Sequence, residues 1–400
     1  MLESEVTVIG GGVIGTSIAY YLSREKREVV LLEKDHLASE ASGACDGFIA
    51  LQTKRSGPYL DLALKSAEMF DKLTEELGTT IEHRKEGGMI VIEEGSQLDL
   101  MEKFVHSQRQ AGLDVDMLGC EEAQKLEPAL SNHIAGATYC PHDSLVNPML
   151  LTFAFALAAK RRGARICTGT EVLSIKTERN RIKSVVTNVF ELKTKTVVNA
   201  AGVFAPSIGA MVGISVPIKP RRGQIVVTEP SPRFINRGLN DAKYLLAKLY
   251  PDLIGGSEDE LDRLTGGLAV EQTDPGNILL GSTREFVGYD KSITIEGITA
   301  IVRRSTRIIP RLKQLCAIRA FAGLRPYTPD GLPIVDSLDS PEGFVIASGH
   351  EGDGIALSPI TGKTVAELII DGKPDPMLRT FALNRFKEGH YSTAVNTASK

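Results

Sequence analysis

Apolar and polar residues at the start of the chain follow the periods of a strand, a helix and a second strand. Residues 6–9 form a short apolar run rich in β-branched side chains, which predicts a buried parallel strand. Residues 13–24 are predicted to be a helix, and residues 29–32 form a second apolar run. This order of elements predicts a βαβ unit.

Glycines between the first strand and the helix indicate that this unit binds a dinucleotide. Gly10, Gly12 and Gly15 give the spacing G-x-G-x-x-G, in which the first allows a tight turn and the second lets a pyrophosphate approach the backbone. The free N–H groups at the start of the helix, near Val13 and Ile14, would point at the phosphates. A glycine-rich turn that binds nothing is the alternative.

The residue that ends the second strand favours a dinucleotide over that alternative. The carboxylate of Glu33 can accept hydrogen bonds from ribose hydroxyls, and it would repel a 2′-phosphate, which argues against NADP. Lys34, the next residue, is included among the predicted cofactor contacts.

The remaining pattern predicts further helices and strands without an internal repeat. Predicted helices are residues 59–77, 97–111, 148–162, 293–309 and 355–371. Predicted strands are residues 88–92, 165–168, 172–177, a hairpin within 182–198, 224–228, 277–281 and 344–347. Residues 252–256 and 261–267 are predicted loops, and the polar tail after about residue 389 is predicted to be disordered.

Composition and charge exclude several classes of function. The 400 residues suffice for about two domains, and 42% hydrophobic with 24% charged residues is typical of a globular protein. The net charge of −4 offers no basic surface for nucleic acid. No apolar stretch approaches the length of a membrane span, which is about twenty residues. The five cysteines form no C-x-x-C pair, and the first strand leaves no room for a cleavable signal, so we expect a cytoplasmic protein without a metal site.

Further motifs resemble the glycine oxidase and D-amino-acid oxidase family of FAD-dependent oxidoreductases, and the resemblance runs from residue 5 to about residue 386. These motifs are Ala41-Ser42-Gly43, Asn199-Ala200-Ala201-Gly202, Gly323-Leu324-Arg325-Pro326, Pro329-Asp330-Gly331 and Gly349-His350. Residues 271–273, 281–286 and 349–355 are most similar to one branch. That branch holds the flavoprotein (β or C) subunits of hetero-oligomeric dehydrogenases acting on D-hydroxyproline, opines, glycine (cyanide-forming) or proline.

The resemblance implies an α/β fold. A Rossmann-like FAD-binding domain of the glutathione-reductase type would comprise residues 1–82, 142–216 and 317–388. A second, α+β substrate domain built on an antiparallel sheet would comprise residues 83–141 and 217–316. Residues 389–400 would form a tail.

The resemblance also implies further contacts with FAD. Ser42 can hold a phosphate oxygen or cap a helix, and Val172 would touch adenine through its backbone. Small residues would lie against the cofactor at Gly43, Gly47, Ala200, Ala201, Gly202 and Gly323. The last long helix would aim its N–H groups at the flavin ring, with contacts from Gly349, His350, Gly352, Asp353, Gly354 and Ile355. We expect FAD to be bound non-covalently, because Arg325 and not a cysteine occupies the family's carboxylate position.

Arg325 is the predicted substrate residue, since a guanidinium can hold a carboxylate through two hydrogen bonds. The alternative is a surface or ion-paired arginine. His350 can tune the charge of the flavin, accept a proton, or only pack on the ring. Tyr244 and Glu271 come from the second domain and either reach the pocket or are structural. The sequence offers no obvious general base.

Four functions remain open from the sequence. The preferred one is the catalytic flavoprotein subunit of a hetero-oligomeric dehydrogenase that oxidises a C–N bond next to a carboxylate and passes electrons to partner subunits carrying FMN, [2Fe–2S] or a second FAD. The second is a stand-alone oxidase that uses O2 and produces H2O2. A flavin-binding scaffold and an NAD-dependent dehydrogenase are the others. Glycine, a cyclic imino acid such as D-hydroxyproline, and an opine remain possible substrates.

Overall fold

The computed structural model of the protein describes residues 2–249, 260–265, 267–372 and 376–386. In these ranges helices α1 to α10 span Val13–Arg24, Pro58–Leu77, Leu98–Gln110, Cys120–Leu126, Pro148–Arg161, Ala205–Ala210, Ala242–Leu249, Glu260–Thr265, Ile295–Ile308 and Gly354–Asp371. Strands β1 to β9 span Leu2–Ile9, Val29–Leu32, Phe48–Ile49, Gly88–Ile92, Asp116–Gly119, Gly136–Cys140, Ser144–Leu145, Arg165–Cys167 and Val172–Glu178. Strands β10 to β18 span Arg181–Thr187, Glu191–Asn199, Lys219–Thr228, Gly238–Asp241, Ala269–Gln272, Ile278–Gly281, Ala317–Tyr327, Ile334–Leu338 and Phe344–Ser348.

The first sheet carries the N-terminal βαβ unit. Within the described residues it has eight strands in the order β17-β18-β11-β1-β2-β8, with β10 and β9 continuing from β11. Strand β1 runs parallel to both β2 and β11, so the carboxyl ends of these strands meet at one edge. Helices α1, α5 and α10 bury Ile18, Phe155 and Leu357 in the core against this sheet. The apolar runs of the sequence therefore form the predicted parallel sheet covered by helices.

The second sheet is antiparallel except at one pair of strands. Its described strands have the order β16-β12-β15-β14-β13-β4-β6-β5, and β13 runs parallel to β4. Helix α9 begins at an N-cap in which the Thr294 hydroxyl accepts the Gly297 N–H at 3.1 Å. It packs Ile301 and Ile308, each 1% exposed, into the core of this sheet. The predicted α/β fold with a second, mostly antiparallel α+β unit is confirmed.

Strands β12 and β16 bring the substrate-side residues toward the first sheet. They pair along their whole length, from Thr228 opposite Ala317 to Lys219 opposite Tyr327. By its hydrogen bonds β16 belongs to the second sheet, although the predicted boundary assigns residues from 317 onward to the FAD-binding segment. After Tyr327 the chain returns to the first sheet through β17 and β18.

Most predicted elements are confirmed with shifts of a few residues at their ends. The prediction of a loop over residues 261–267 is wrong, because helix α8 covers most of that range and packs against α9. A helix this short shows no 3.6-residue period in the sequence, so only its tertiary contacts define it. The predicted loop over residues 252–256 and the predicted disordered tail lie outside the described residues. Across the described ranges, no helix combines the length and hydrophobicity needed to cross a membrane.

Candidate active site

A cavity of about 370 Å³ lies where the glycine-rich segment near residue 10 meets the glycine-rich segment near residue 350. Its wall includes the first turn of α1 and the first turn of α10. These helices pack against each other, and the Ser17 hydroxyl donates a 2.7 Å hydrogen bond to the Ser358 carbonyl oxygen. The fold therefore brings the two glycine-rich segments of the sequence to a single cavity.

The turn before α1 forms a cradle for an anion. Gly10 has φ = +116°, and a Cβ atom there would lie 2.4 Å from the Ala200 carbonyl oxygen, so only glycine fits. The Val13 N–H donates to Ser42 Oγ at 3.0 Å, so Ser42 caps this helix from a distant loop. The other N–H groups of the first turn have no partner within the helix. A pyrophosphate fits this combination of close backbone and helix N-terminus.

Glu33 lies at the end of β2 in the same wall. Its Oε2 atom accepts the Gly11 N–H at 2.6 Å, and its Oε1 atom accepts the Asp35 N–H at 2.9 Å. Each carboxylate oxygen can accept a second hydrogen bond, so both remain available to ribose hydroxyls. Lys34 places its Nζ atom 3.7 Å from the centre of the Phe204 ring, and both side chains line the cavity.

Most of the predicted cofactor residues lie in the cavity wall. These are Gly10, Gly12, Val13, Ile14, Glu33, Lys34, Ser42, Val172, Ala200, Ala201, Gly202, Gly323, Arg325, His350, Gly352, Gly354 and Ile355. Those that lie behind the wall are Gly15, Gly43, Gly47, Gly349 and Asp353. Gly15 acts through packing, because a Cβ atom there would lie 2.0 Å from the Gly10 carbonyl oxygen. Tyr244 lies in α7, but its side chain is outside the described part of the structure.

The loop before α10 is held by a buried ion pair. Asp353 occupies the N-cap position of α10, yet its carboxylate does not cap that helix. Instead Lys54 Nζ donates to Asp353 Oδ1 at 2.8 Å, and the Tyr59 hydroxyl donates to Oδ2 at 2.5 Å. The Lys54 and Asp353 side chains are 1% and 7% exposed. The N–H groups of the first turn of α10 are therefore left toward the cavity, where they can stabilise negative charge on a bound ring.

His350 is buried beside this loop and is neutral near pH 7. Burial lowers its pKa to about 4, with Asp353 opposing that shift. Its Nε2 atom lies 3.1 Å from Thr361 Oγ1, a residue of α10. Among the three roles open from the sequence, this environment does not favour proton acceptance at neutral pH.

Arg325 projects from β16 into the cavity wall and is held mainly by neutral groups. Its Nη1 atom donates to the Thr283 carbonyl oxygen at 3.2 Å, and its Nη2 atom donates to the Ser282 hydroxyl. A carboxylate oxygen of Glu351 lies 4.0 Å from its Nε atom, but Glu351 is also ion-paired with Arg221. The guanidinium is thus fixed in position while its charge is only partly compensated.

The sequence reasoning did not assign roles to several residues of the site. Asp46 and Glu351 line the cavity, and Lys54 and Arg221 form the ion pairs behind it. Asp46 and Glu351 adjoin predicted cofactor loops, so their proximity in sequence was a usable signal. Lys54 and Arg221 gave no such signal, because a lysine or arginine outside a motif usually lies on the surface.

These features define a class of protein. One helix N-terminus and Glu33 fit the pyrophosphate and ribose of an adenine dinucleotide, and a second helix N-terminus in the same wall fits an electron-rich ring such as a flavin. An NAD-binding unit accounts for the first feature and leaves the second without a role. In residues 2–249, 260–265, 267–372 and 376–386, no group of three or more His, Cys, Asp or Glu side chains is placed to hold a metal ion. The fold and cavity are those of a flavin-dependent oxidoreductase.

Comparison with known proteins identifies the family. Residues 5–368 match the family model described as DAO, FAD dependent oxidoreductase, and the chain belongs to that family. It is 30% identical to hydrogen cyanide synthase subunit HcnC of Pseudomonas aeruginosa, covering 98% of each chain. It is 29% identical to glycine oxidase of Geobacillus kaustophilus, covering 95% of this chain and 97% of the relative. It is 28% identical to an opine oxidase subunit of Rhizobium meliloti, covering 96% and 98%.

The fold is shared with solved structures of similar proteins. The structure of L-proline dehydrogenase from P. horikoshii superposes with a TM-score of 0.87 at 30% identity, covering 97% of this chain and 99% of that one. The cofactor of the family is FAD, and the glycine cradle, Glu33 and the first turn of α10 are the parts of this chain that fit it. When bound, FAD supplies the acceptor for a hydride.

Proposed function

We propose that the protein is the catalytic flavoprotein subunit of a hetero-oligomeric dehydrogenase. It oxidises the C–N bond of a carboxylate-bearing amino or imino acid by hydride transfer to N5 of non-covalently bound FAD, and passes the electrons to partner subunits that carry FMN, [2Fe–2S] or a second FAD. A secondary amine such as D-hydroxyproline or an opine is the preferred substrate.

The observation that carries the proposal is that the Arg325 guanidinium is fixed in position while its charge is only partly compensated. Arg325 is held by Thr283 and Ser282, Glu351 is already paired to Arg221, and Asp46 is the other nearby carboxyl group, so the guanidinium can still bind an anion. A substrate carboxylate would bind the guanidinium through two parallel hydrogen bonds, which would fix the neighbouring carbon against the flavin. The predicted role of Arg325 is supported by this geometry.

The subunit role is supported by the names of two relatives. HcnC is a subunit of hydrogen cyanide synthase, and the opine relative is likewise one subunit of an oxidase. Each is matched along nearly its whole length.

The five cysteines, all within the described ranges, form no disulfide there, which supports the proposed cytoplasmic location.

A stand-alone oxidase producing H2O2 is the second candidate, favoured by the 29% identity to glycine oxidase. Peroxide production by the purified chain alone separates the two. Rapid peroxide formation would support the oxidase, and flavin reduction that is reoxidised only by a dye or a partner subunit would support the dehydrogenase.

The substrate test is an anaerobic screen of flavin bleaching with amino acids, N-alkyl amino acids, prolines and opines. The Arg325→Lys variant is the matched control, because it keeps the charge and loses the bidentate geometry. We expect a carboxylate-bearing amine to bleach the flavin of the parent protein. The Arg325→Lys variant should need a much higher substrate concentration for the same bleaching. Equal substrate dependence in both proteins would contradict the role of Arg325.

A further inference from the structure

A second acidic residue lies behind the loop that carries Asp46. Asp46 lines the active-site cavity together with Arg325, and Glu271 belongs to β14 of the second sheet. The Gly47 N–H donates to Glu271 Oε2 at 3.0 Å, so Glu271 is hydrogen-bonded to the residue that follows Asp46. Glu271 is 5% exposed and lines a separate cavity on the other side of this loop. One acidic residue therefore faces each cavity, and the backbone between Asp46 and Gly47 separates them.

We propose, on the basis of the proposed function, that Asp46 accepts the proton of the substrate ammonium group and that the charge of the neighbouring Glu271 controls how readily Asp46 does so. In this step the N–H bond would break and its proton would go to Asp46, while the C–H bond would break and its electron pair would leave as the hydride that a bound FAD would accept. The substrate becomes an iminium ion. Asp46 is the catalytic residue in this assignment, and Glu271 acts through it.

The charges around the pair suit this role. Burial raises the pKa of Asp46, whereas Arg325 and hydrogen bonds from the backbone of Phe48 and of Asp46 itself lower it, and Asp353 raises it. Burial and then Asp46 raise the pKa of Glu271 to about 8, with the Gly47 N–H and Arg84 opposing. The two carboxyl groups are therefore electrostatically coupled, so the charge of Glu271 affects the protonation of Asp46.

The neighbouring thiol does not compete for this proton. Burial, Asp46 and Glu271 all raise the pKa of the Cys45 thiol, and Arg325 lowers it. Cys45 therefore stays protonated while the pair titrates. An alkylamine has a pKa of about 10, so a substrate that arrives as an ammonium ion needs an acceptor of this kind at pH 7.

The first test measures binding without turnover. Methoxyacetate, a carboxylate without an ionisable nitrogen, is titrated into the FAD-bound protein between pH 6 and pH 10, and its Kd is read from the flavin absorbance. Because Glu271 gains negative charge as the pH rises through its pKa of about 8, Kd should rise by about tenfold between pH 7 and pH 9. A Kd that does not change over this range overturns the proposal.

Variants then assign the titration to the pair. In Glu271→Gln, Kd should increase by less than about twofold between pH 7 and pH 9. If Glu271 is only structural, the variant would keep the tenfold increase of the parent protein, and this result would overturn the proposal. Glu127→Gln is the matched control, because Glu127 is also fully buried with a raised pKa but lies outside the cavity, and it should keep the parent pH dependence. In Asp46→Asn, anaerobic flavin reduction at pH 7 should be about 100-fold slower and should recover toward pH 10.

Arg325→Lys separates failure of this inference from failure of the proposed function. If it binds methoxyacetate as well as the parent does, the proposed carboxylate site is wrong. If it loses that binding while Glu271→Gln retains the parent pH dependence, only the roles assigned to Asp46 and Glu271 are wrong.

Discussion

Replacing Lys54 by methionine should disturb the flavin end of the cavity, although Lys54 itself does not line the cavity. Lys54 donates to the Ala50 carbonyl oxygen at 2.6 Å, to the Thr53 hydroxyl at 3.1 Å and to Asp353 at 2.8 Å. Methionine has a similar length but no charge and no donor. The carboxylate of Asp353 would then be buried with Tyr59 and without its cation.

The size of the effect follows from burial. Removing one partner of a buried ion pair costs about 3–5 kcal/mol, because the other charge remains desolvated. An exposed pair contributes about 0–1 kcal/mol. Lys176→Met is therefore the matched control, since Lys176 and its partner Glu191 are 53% and 34% exposed. For 400 residues, 3–5 kcal/mol corresponds to a fall in Tm of about 4–6 °C.

The effect on FAD has a separate physical cause. Once Lys54 is replaced, Asp353 Oδ1 loses a donor, and the backbone N–H groups of α10 become alternative donors to it, as at many N-cap positions occupied by aspartate. Those N–H groups are the ones available to a reduced, negatively charged flavin ring. We therefore expect Lys54→Met to bind FAD more weakly and to lower its reduction potential.

The assay compares thermal unfolding, FAD affinity and flavin potential for Lys54→Met, Lys176→Met and the double variant Lys54→Met/Asp353→Asn. The double variant should recover part of the lost stability, because it removes the uncompensated charge. If Lys54→Met is as stable as Lys176→Met and keeps the parent potential, the ion pair does not hold the loop as inferred.

Three further predictions concern the same cavity. Arg325→Ala should raise KM steeply while FAD stays bound, and steady-state kinetics with an absorption spectrum checks both. Gly15→Ala should lose FAD, since its Cβ would lie 2.0 Å from the Gly10 carbonyl oxygen, and flavin content after gel filtration measures this. Because burial lowers the pKa of His350 to about 4, the folded state loses stability as the pH falls from about 6.5 to 4, by up to about 3 kcal/mol. His350→Gln should remove that part of the acid sensitivity in urea titrations, and an unchanged sensitivity would refute it.

The cofactor half of the site was predictable because it depends on local backbone geometry. A turn with positive φ and a helix that must approach it closely both require glycine, so Gly10 and Gly15 carry their structural meaning in the sequence. The strand and helix on either side are long enough to show their periods. Glu33 could be placed for the same reason, as the residue that ends a short buried strand.

The substrate half depends on pairings between distant segments, which no local pattern records. Arg325 was predicted through a motif, but its partners Ser282 and Thr283 come from the end of another strand. Lys54 and Asp353 meet only because α2 and α10 pack together. A charged residue with such a partner has the same sequence signature as one on the surface, so burial had to be seen in the structure.

The acidic groups of the cavity can be ordered by what already neutralises them. Glu351 is paired with Arg221, and Asp353 is paired with Lys54. Asp46 has Arg325 as its nearby cation, and the proposed function assigns that same arginine to the substrate carboxylate. A zwitterionic substrate resolves this competition, because its carboxylate binds Arg325 while its ammonium group compensates Asp46. An anion without an ammonium group leaves Asp46 without a cation, so its binding is accompanied by the uptake of a proton. Under the proposed roles of Arg325 and Asp46, the same exchange of partners would orient the C–N bond and remove the proton that would block its oxidation.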